Sequence, residues 1–348
     1  MREPEYSGKP LAYLDQNVLD LLAKNFESTH EVYSYLKESF QVVYSDTTLG
    51  EIYKAFLNSK EENKENTLEK YLNILEWLNA YHIRIAYNRN LEFLNSCVIS
   101  QASVKQWFNN YVENKKEWGF WDQHIYNQFL LSYQKNKNID EIKIEALLSY
   151  EKNLEKMRKA KDELQNYPQL KYKAEAMYEE IYNQKEIYEE AIQGMLSIVI
   201  QNVEQDKMSE IFRNEMGISA KQLNNINMPH VVQKIWNLYK DKEGYQNFTI
   251  DDFWSINLLE KNKGRKFYKY EKVNVIYNMM NFIGFYSDTK LDQVNGVQRS
   301  MSDFTHAQMA SFCHFFFTND KNLIKKVDAI YEYLDIPTRL ARIEINSN

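Results

Sequence analysis

The chain has 348 residues, 44% of them hydrophobic and 26% charged, with a formal net charge of −6. That composition sustains the core of one elaborated domain or two ordinary ones and excludes wholesale disorder. The negative total excludes a globally cationic nucleic-acid binder, so any such contact must come from a local basic patch. Only 9 Gly and 5 Pro interrupt the chain, which predicts few tight turns and long helices. Cys97 and Cys313 each stand among apolar residues and read as buried thiols; with no CxxC or HExxH spacing, zinc is not indicated. The start, Met1-Arg2-Glu3-Pro4, has no apolar signal region, and no run reaches the length of a membrane span. The expectation is a soluble, cytoplasmic protein with no membrane partner.

In chain order, Leu11-Ala12-Tyr13-Leu14 is a short apolar run that ends in Asp15, followed at once by amphipathic Val18, Leu19, Leu21 and Leu22. This reads as a buried strand, an acid at its C-terminal tip, then a helix. Val32 to Phe40 is helical, Phe40 to Tyr44 a second strand, and Thr47 to Leu57 the helix leaving it. A helix over 67–81 leads to a third strand, His82 to Tyr87. Strand, helix, strand, helix, strand implies a parallel sheet.

From about residue 90 to 280 nothing clearly alternates at period two, and helical spacing dominates. Leu147, Leu154, Met157, Lys161 and Leu164 step at seven, three, four and three. After Asn166-Tyr167-Pro168, Leu170, Ala174, Met177, Ile181, Tyr188, Ile192, Met195, Val199 and Val203 continue in the same manner. Proline cannot continue a helix, so 140–203 predicts two antiparallel helices joined at Pro168. The second arm, about 34 residues, would be roughly 50 Å long at 1.5 Å per residue. Such an arm suits a protein partner or self-association, with packing on its own domain as the alternative. The α/β pattern returns with a helix from Ser302 to Phe312, a strand His314 to Thr318, a helix Lys321 to Leu334 and a last strand within Leu340 to Ile345. The predicted fold class is therefore α/β, with an α/β domain made of 1–90 and 281–348 and a helical insertion over 91–280.

Four acids stand at comparable points: Asp15 after the first strand, Glu51 in the helix after the second, Asp303 opening a late helix, and Asp320 after the Phe-rich strand. Each has a structural explanation. Asp15 and Asp320 suit helix N-caps, Thr48-x-x-Glu51 is spaced as a capping box, and Asp303 suits the first turn of its helix. Together they say more, because parallel strands bring their tips to one sheet edge. Crowded carboxylates repel unless a cation joins them, and oxygen-rich sites suit Mg²⁺ or Mn²⁺. Asp46 and Asp288 are spare acids that could replace one of the four. His306, one turn beyond Asp303, reads as bonded within the helix layer rather than touching substrate. A haloacid-dehalogenase-like phosphatase wants a second Asp two residues after the first, where this chain has Asn17.

Leu14-Asp15-Gln16-Asn17, Ser45 with Leu49-x-Glu51-Ile52, Asp303-x-x-His306-Ala307 and Thr318-Asn319-Asp320-x-x-Leu323 resemble the four acidic motifs of the PIN-like nuclease family. The resemblance covers both ends of the chain and none of the insertion. It implies a three-layer PIN-like parallel sheet split by the helical insertion, a Mg²⁺ or Mn²⁺ cofactor, and cleavage of RNA in preference to DNA. It places Asp15, Glu51, Asp303 and Asp320 on the metal, with Asn17 and Thr318 supporting them. Lys263, Arg265, Lys266 and Tyr268, in a stretch where bases interleave with aromatics, are the candidate single-strand contacts. Arg299, Lys325 and Lys326 flank the acidic edge as candidate phosphate contacts. A nuclease with a large insertion suits a toxin or phage-defence effector. The competing reading is a catalytically inactive scaffold or binding protein that acts through its helical arm.

Overall fold

The computed structural model describes residues 8–24, 29–88, 92–118, 133, 139–164, 168–183, 185, 208–257, 260 and 265–344. The chain divides into two compact units, one of Met1–Lys115, Ile218–Asp288 and Arg299–Asn348, the other of Lys116–Gly217 and Thr289–Gln298. The first unit holds a six-stranded sheet in an α/β arrangement. Its strands are β1 (Leu11–Leu14), β2 (Gln41–Tyr44), β3 (Tyr81–Tyr87), β4 (Phe93–Ser100), β5 (Phe315–Phe317) and β6 (Arg339–Ala341), in the order β4-β3-β2-β1-β5-β6. All neighbours run parallel except β3 and β4.

The crossovers are helical. α1 (Gln16–Lys24) and α2 (His30–Ser39) join β1 to β2, while α3 (Asp46–Asn58) and α4 (Lys64–Trp77) join β2 to β3. From β1 the chain walks outward through β2 and β3, then much later returns on the other side of β1 as β5. That makes the gap between β1 and β5 the topological switch point, where open α/β sheets bind ligands beyond the strands' carboxyl ends. Ala12, Leu14, Val42, Tyr44 and Phe317 pack into one apolar cluster with Leu19, Leu36, Leu49, Ile52, Leu75 and Phe108. Tyr13 and Val43 are buried on the opposite face, and burial on both faces explains why these strands read as unbroken apolar runs.

The early elements fall where the sequence put them, and the differences have physical reasons. β4 showed no alternation because it is an edge strand with many exposed positions on both faces. It and α5 (Val104–Trp118) lie within the stretch read as helical insertion. α5 closes on α3 at Gly50, where a Cβ would meet the Tyr111 hydroxyl at 2.6 Å. β6 stops at Ala341 because the Asn319 side chain takes both backbone groups of Ile343, at 3.0 and 3.1 Å.

In the second unit, α6 (Ile139–Glu163) and α7 (Pro168–Asn183) form an antiparallel pair. Leu154 and Met157 are buried, Lys185 bonds Glu151 at 2.9 Å, and the Lys161 ammonium lies over the Tyr178 ring. Most of the expected continuation toward residue 203 lies outside the described residues. Among the described residues α8 (Met208–Met216) follows, and the first unit resumes with α9 (Ala220–Asn224), α10 (Val231–Tyr239), α11 (Ile250–Phe253) and α12 (Lys269–Ile283). The closing helices are α13 (Val294–Ala310) and α14 (Lys321–Tyr333). α13 begins eight residues before the expected Ser302, because Gly296 reads as a breaker. A Cβ there would lie 1.8 Å from the Lys290 carbonyl oxygen, so the glycine serves close packing instead. Among the described residues no helix is long and apolar enough to cross a membrane.

Candidate metal centre

Asp15 leaves the tip of β1 and opens α1, its carbonyl accepting from Val18 and Leu19 N–H. The residue is 3% exposed. Oδ1 accepts the Gln16 N–H at 2.7 Å, and Oδ2 accepts the Thr318 hydroxyl at 2.7 Å and the Asn17 amide. Asn17 also reaches Thr318 Oγ1 and accepts the Asn319 N–H at 2.9 Å. These bonds strap β1 to β5 across the switch point, so Asn17 and Thr318 stand beside Asp15 as expected of supporting groups.

Glu51 arrives from the second turn of α3. It does not close a capping box: α3 is capped by Ser45, with Thr48 as the reciprocal partner. Relieved of that task, Glu51 accepts the Ser302 hydroxyl at 2.6 Å on Oε1 and faces His306 Nε2 at 2.8 Å on Oε2. His306 Nε2 is also 3.7 Å from Asp15 Oδ1. The imidazole is wholly buried, and its Nδ1 lies 2.8 Å from the Tyr13 hydroxyl, which in turn bonds Ser45 at 2.6 Å. Ligand atoms of Asp15, Glu51 and His306 thus all lie within 4.8 Å of one another.

The three groups shift one another's titration. Burial pushes the Asp15 carboxyl up, partly offset by the His306 charge, and Glu51 adds to the rise. Glu51 is also penalised by burial, but His306 and the Ser302 bond outweigh that and hold it below the usual range. Burial would lower His306, yet Tyr13, Glu51 and Asp15 together keep it well above the ordinary imidazole value. The direction of this shift favours a charged imidazole facing the two acids.

Asp303 lies three residues before His306, on the same side of α13. It sits inside this helix and not in its first turn, which corrects the dipole explanation. Among the described residues it has no hydrogen bond or ion pair, and burial together with Asp288 and Asp15 raises its carboxyl far above the ordinary value. Asp320 caps α14, accepting Asn322 and Leu323 N–H at 2.7 and 2.9 Å, as its capping explanation foresaw.

The spare acids are both engaged. Asp46 faces His82 Nε2 at 3.0 Å. Asp288 receives the wholly buried Lys326, the Tyr277 hydroxyl at 3.1 Å and the Asn281 amide at 2.9 Å. Lys326 also donates to Asn281 Oδ1 at 2.9 Å, so it is an interior ion pair and not a surface contact for phosphate. The basic stretch is largely spoken for: Arg265 forks onto Glu271 at 2.9 and 2.8 Å, Lys266 lies 3.7 Å from Glu260, and Tyr268 starts α12. Lys263 lies outside the described residues. Arg299 and Lys325 are exposed. Tyr13, Ser45 and Ser302 were not read as site residues; the only sequence signal for Tyr13 was one hydroxyl in an apolar strand. Compared with known proteins, the chain matches no family model, no curated protein and no solved structure.

Proposed function

We propose that the chain is a metal-dependent endonuclease of PIN-like type, hydrolysing phosphodiester bonds in RNA in preference to DNA. One observation carries the reading: Asp15, Glu51 and His306, from three distant segments, meet at the switch point of a parallel sheet. Asp303, three residues before His306 on the same helix, has no hydrogen bond or ion pair among the described residues, and burial together with Asp288 and Asp15 favours its protonated form.

The donor set fits a divalent ion. Carboxylate oxygens suit Mg²⁺ or Mn²⁺; a bound ion would take the place of the proton on His306 Nε2, and the neutral imidazole then inclines the set toward Mn²⁺. When bound, such an ion supplies an activated water and stabilises charge on the phosphoryl oxygens. The chain's own residues do the positioning. Asn17 and Thr318 fix Oδ2 of Asp15, Ser302 fixes Oε1 of Glu51, and Tyr13 fixes the ring of His306 through Nδ1. Groups that orient ligands in this way keep a site pre-organised. Asp303 stands on the same helix as His306 with a carboxyl that a bound cation would help to ionise, while Asp320 stands at the neighbouring strand tip with its Oδ1 committed to the cap.

The test is cleavage of single-stranded RNA and DNA by wild type and Asp15→Asn in Mn²⁺. We expect cleavage by wild type and its loss in Asp15→Asn. Equal activity in both would sink the site assignment. Absence of any bound ion at millimolar Mn²⁺ would instead favour the scaffold reading.

A further inference from the structure

β3 and β2 are staggered. Val43 pairs with Tyr81 and Tyr44 with His82, so β2 ends where β3 has barely begun. Since Tyr13 pairs with Val43 in the same sheet, Ile83 is level with Asp15 and Arg84–Tyr87 runs on past it. At about 3.3 Å per residue that overhang is roughly 13 Å. β4 folds back along it, and the pair rises from the candidate site's own edge, two strands or roughly 10 Å from β1.

The face of this overhang is built from a cation and rings. Arg84 lies 5.4 Å from the Tyr87 ring centroid and 6.0 Å from that of Trp107. Trp107 in turn stacks on His82 at 4.1 Å and 21°. A register shift between Ile85 and Tyr87 re-aims Tyr87 onto the side of Arg84. Tyr87 is 46% exposed, and Phe93, directly opposite on β4, is 59% exposed. Among the described residues no carboxylate pairs with Arg84. Its Nε and the Trp107 indole N–H are buried without a hydrogen-bond partner. The acid of the hairpin, Glu92, is held by Asn88.

A guanidinium without an anion, set among rings with exposed faces, matches a phosphate next to a base. Aromatic faces stack any base, and an arginine adds the backbone contact, which is how single strands are held without sequence readout. A duplex hides its base faces and cannot use the rings. We infer that the β3–β4 overhang, through Arg84, Tyr87 and Phe93, is the platform that holds a single-stranded nucleic acid leading into the acidic site. This rests on the nuclease reading for its choice of ligand, and moves the platform away from the Arg265–Tyr268 stretch.

The experiment measures fluorescence anisotropy of labelled twelve-mers, rA12, dA12 and a duplex of the same length, with the full chain in EDTA so that no cleavage intervenes. Wild type should bind both single strands better than the duplex. Arg84→Ala and Tyr87→Ala should each weaken single-strand binding by roughly tenfold or more, whereas Tyr87→Phe, which keeps the ring, should bind as wild type. Melting temperatures of the variants should match wild type, since Tyr87 is half-exposed; a fall in binding accompanied by unfolding in Arg84→Ala is decided by the Tyr87 pair. Unchanged binding in both alanine variants, equal binding of duplex, or no binding by wild type overturns the platform. So does a change in molecular mass with Phe93→Ser at unchanged binding, which would make this edge a contact between copies. Metal-dependent cleavage with variant-insensitive binding refutes the platform alone, while variant-sensitive binding without cleavage refutes the nuclease reading alone.

Discussion

Asp15 shows how one carboxylate serves two roles: its backbone carbonyl begins α1, while its side chain is held by Thr318 and Asn17. Removing such an orienting partner ordinarily costs about 10- to 100-fold in metal affinity. Asn17→Ala should therefore weaken Mn²⁺ binding by that order while the fold persists, as read by a Mn²⁺ titration beside a far-ultraviolet spectrum. The Lys326–Asp288 pair makes a different kind of prediction. Burial would raise Asp288, but Lys326 and the surrounding donors hold it below its ordinary 3.8. A depressed carboxyl contributes stability that is present above that ordinary value and is lost as pH falls through the folded-state value. Urea midpoints measured across the acid range should show this loss in wild type and lack it in Asp288→Asn. At neutral pH the same variant leaves a buried ammonium without its counter-charge and should be less stable by about 3–5 kcal/mol.

Among elements, α3 shows most clearly how packing and chemistry share residues. Its cap is Ser45, whose hydroxyl serves both the Thr47 N–H and the Tyr13 hydroxyl that steadies His306. Ser45→Ala should cost about 1 kcal/mol as a lost cap, seen in thermal denaturation. It should also lower turnover, because the Tyr13–His306 contact loses its backing. α13 is equally dense. Ser300 bonds Asn281 of the ion-pair network, Ser302 bonds Glu51, and His306 bridges to the acids. Ser302 and His306 are one turn apart and share a face, while Ser300 points to another side, so one helix serves both polar clusters.

For the whole molecule, the proposed metal site is assembled from both ends of the chain, and it therefore implies linkage between metal and folding. An ion that binds the folded chain at a hundredfold excess over its Kd adds about 2.7 kcal/mol of stability. Mn²⁺ should accordingly raise the melting temperature of wild type by a few degrees and leave Glu51→Gln nearly unmoved. A rise of equal size in both would place the ion elsewhere.

By itself the sequence determined the strands, the helices between them and the acids at their tips. Leu11–Leu14 and Phe315–Phe317 are apolar runs too short for helices; Asp15 follows the first directly and Asp320 comes three residues after the second. Periodicity is local, so it survives without knowledge of neighbours. It failed at β4, whose edge position removes the alternation, and at the start of α13, where Gly296 fits a close contact. Only the tertiary structure decided which polar groups pair. Glu51 looked like a cap and became the partner of Ser302 and His306, 251 and 255 residues away. Lys326 looked like surface and became interior. Arg265 looked available and was taken by Glu271, while Arg84 drew no notice and stands among rings without an acid. A side chain's charge is written in the sequence, but whether that charge is already neutralised depends on which distant segments the sheet brings within hydrogen-bond reach.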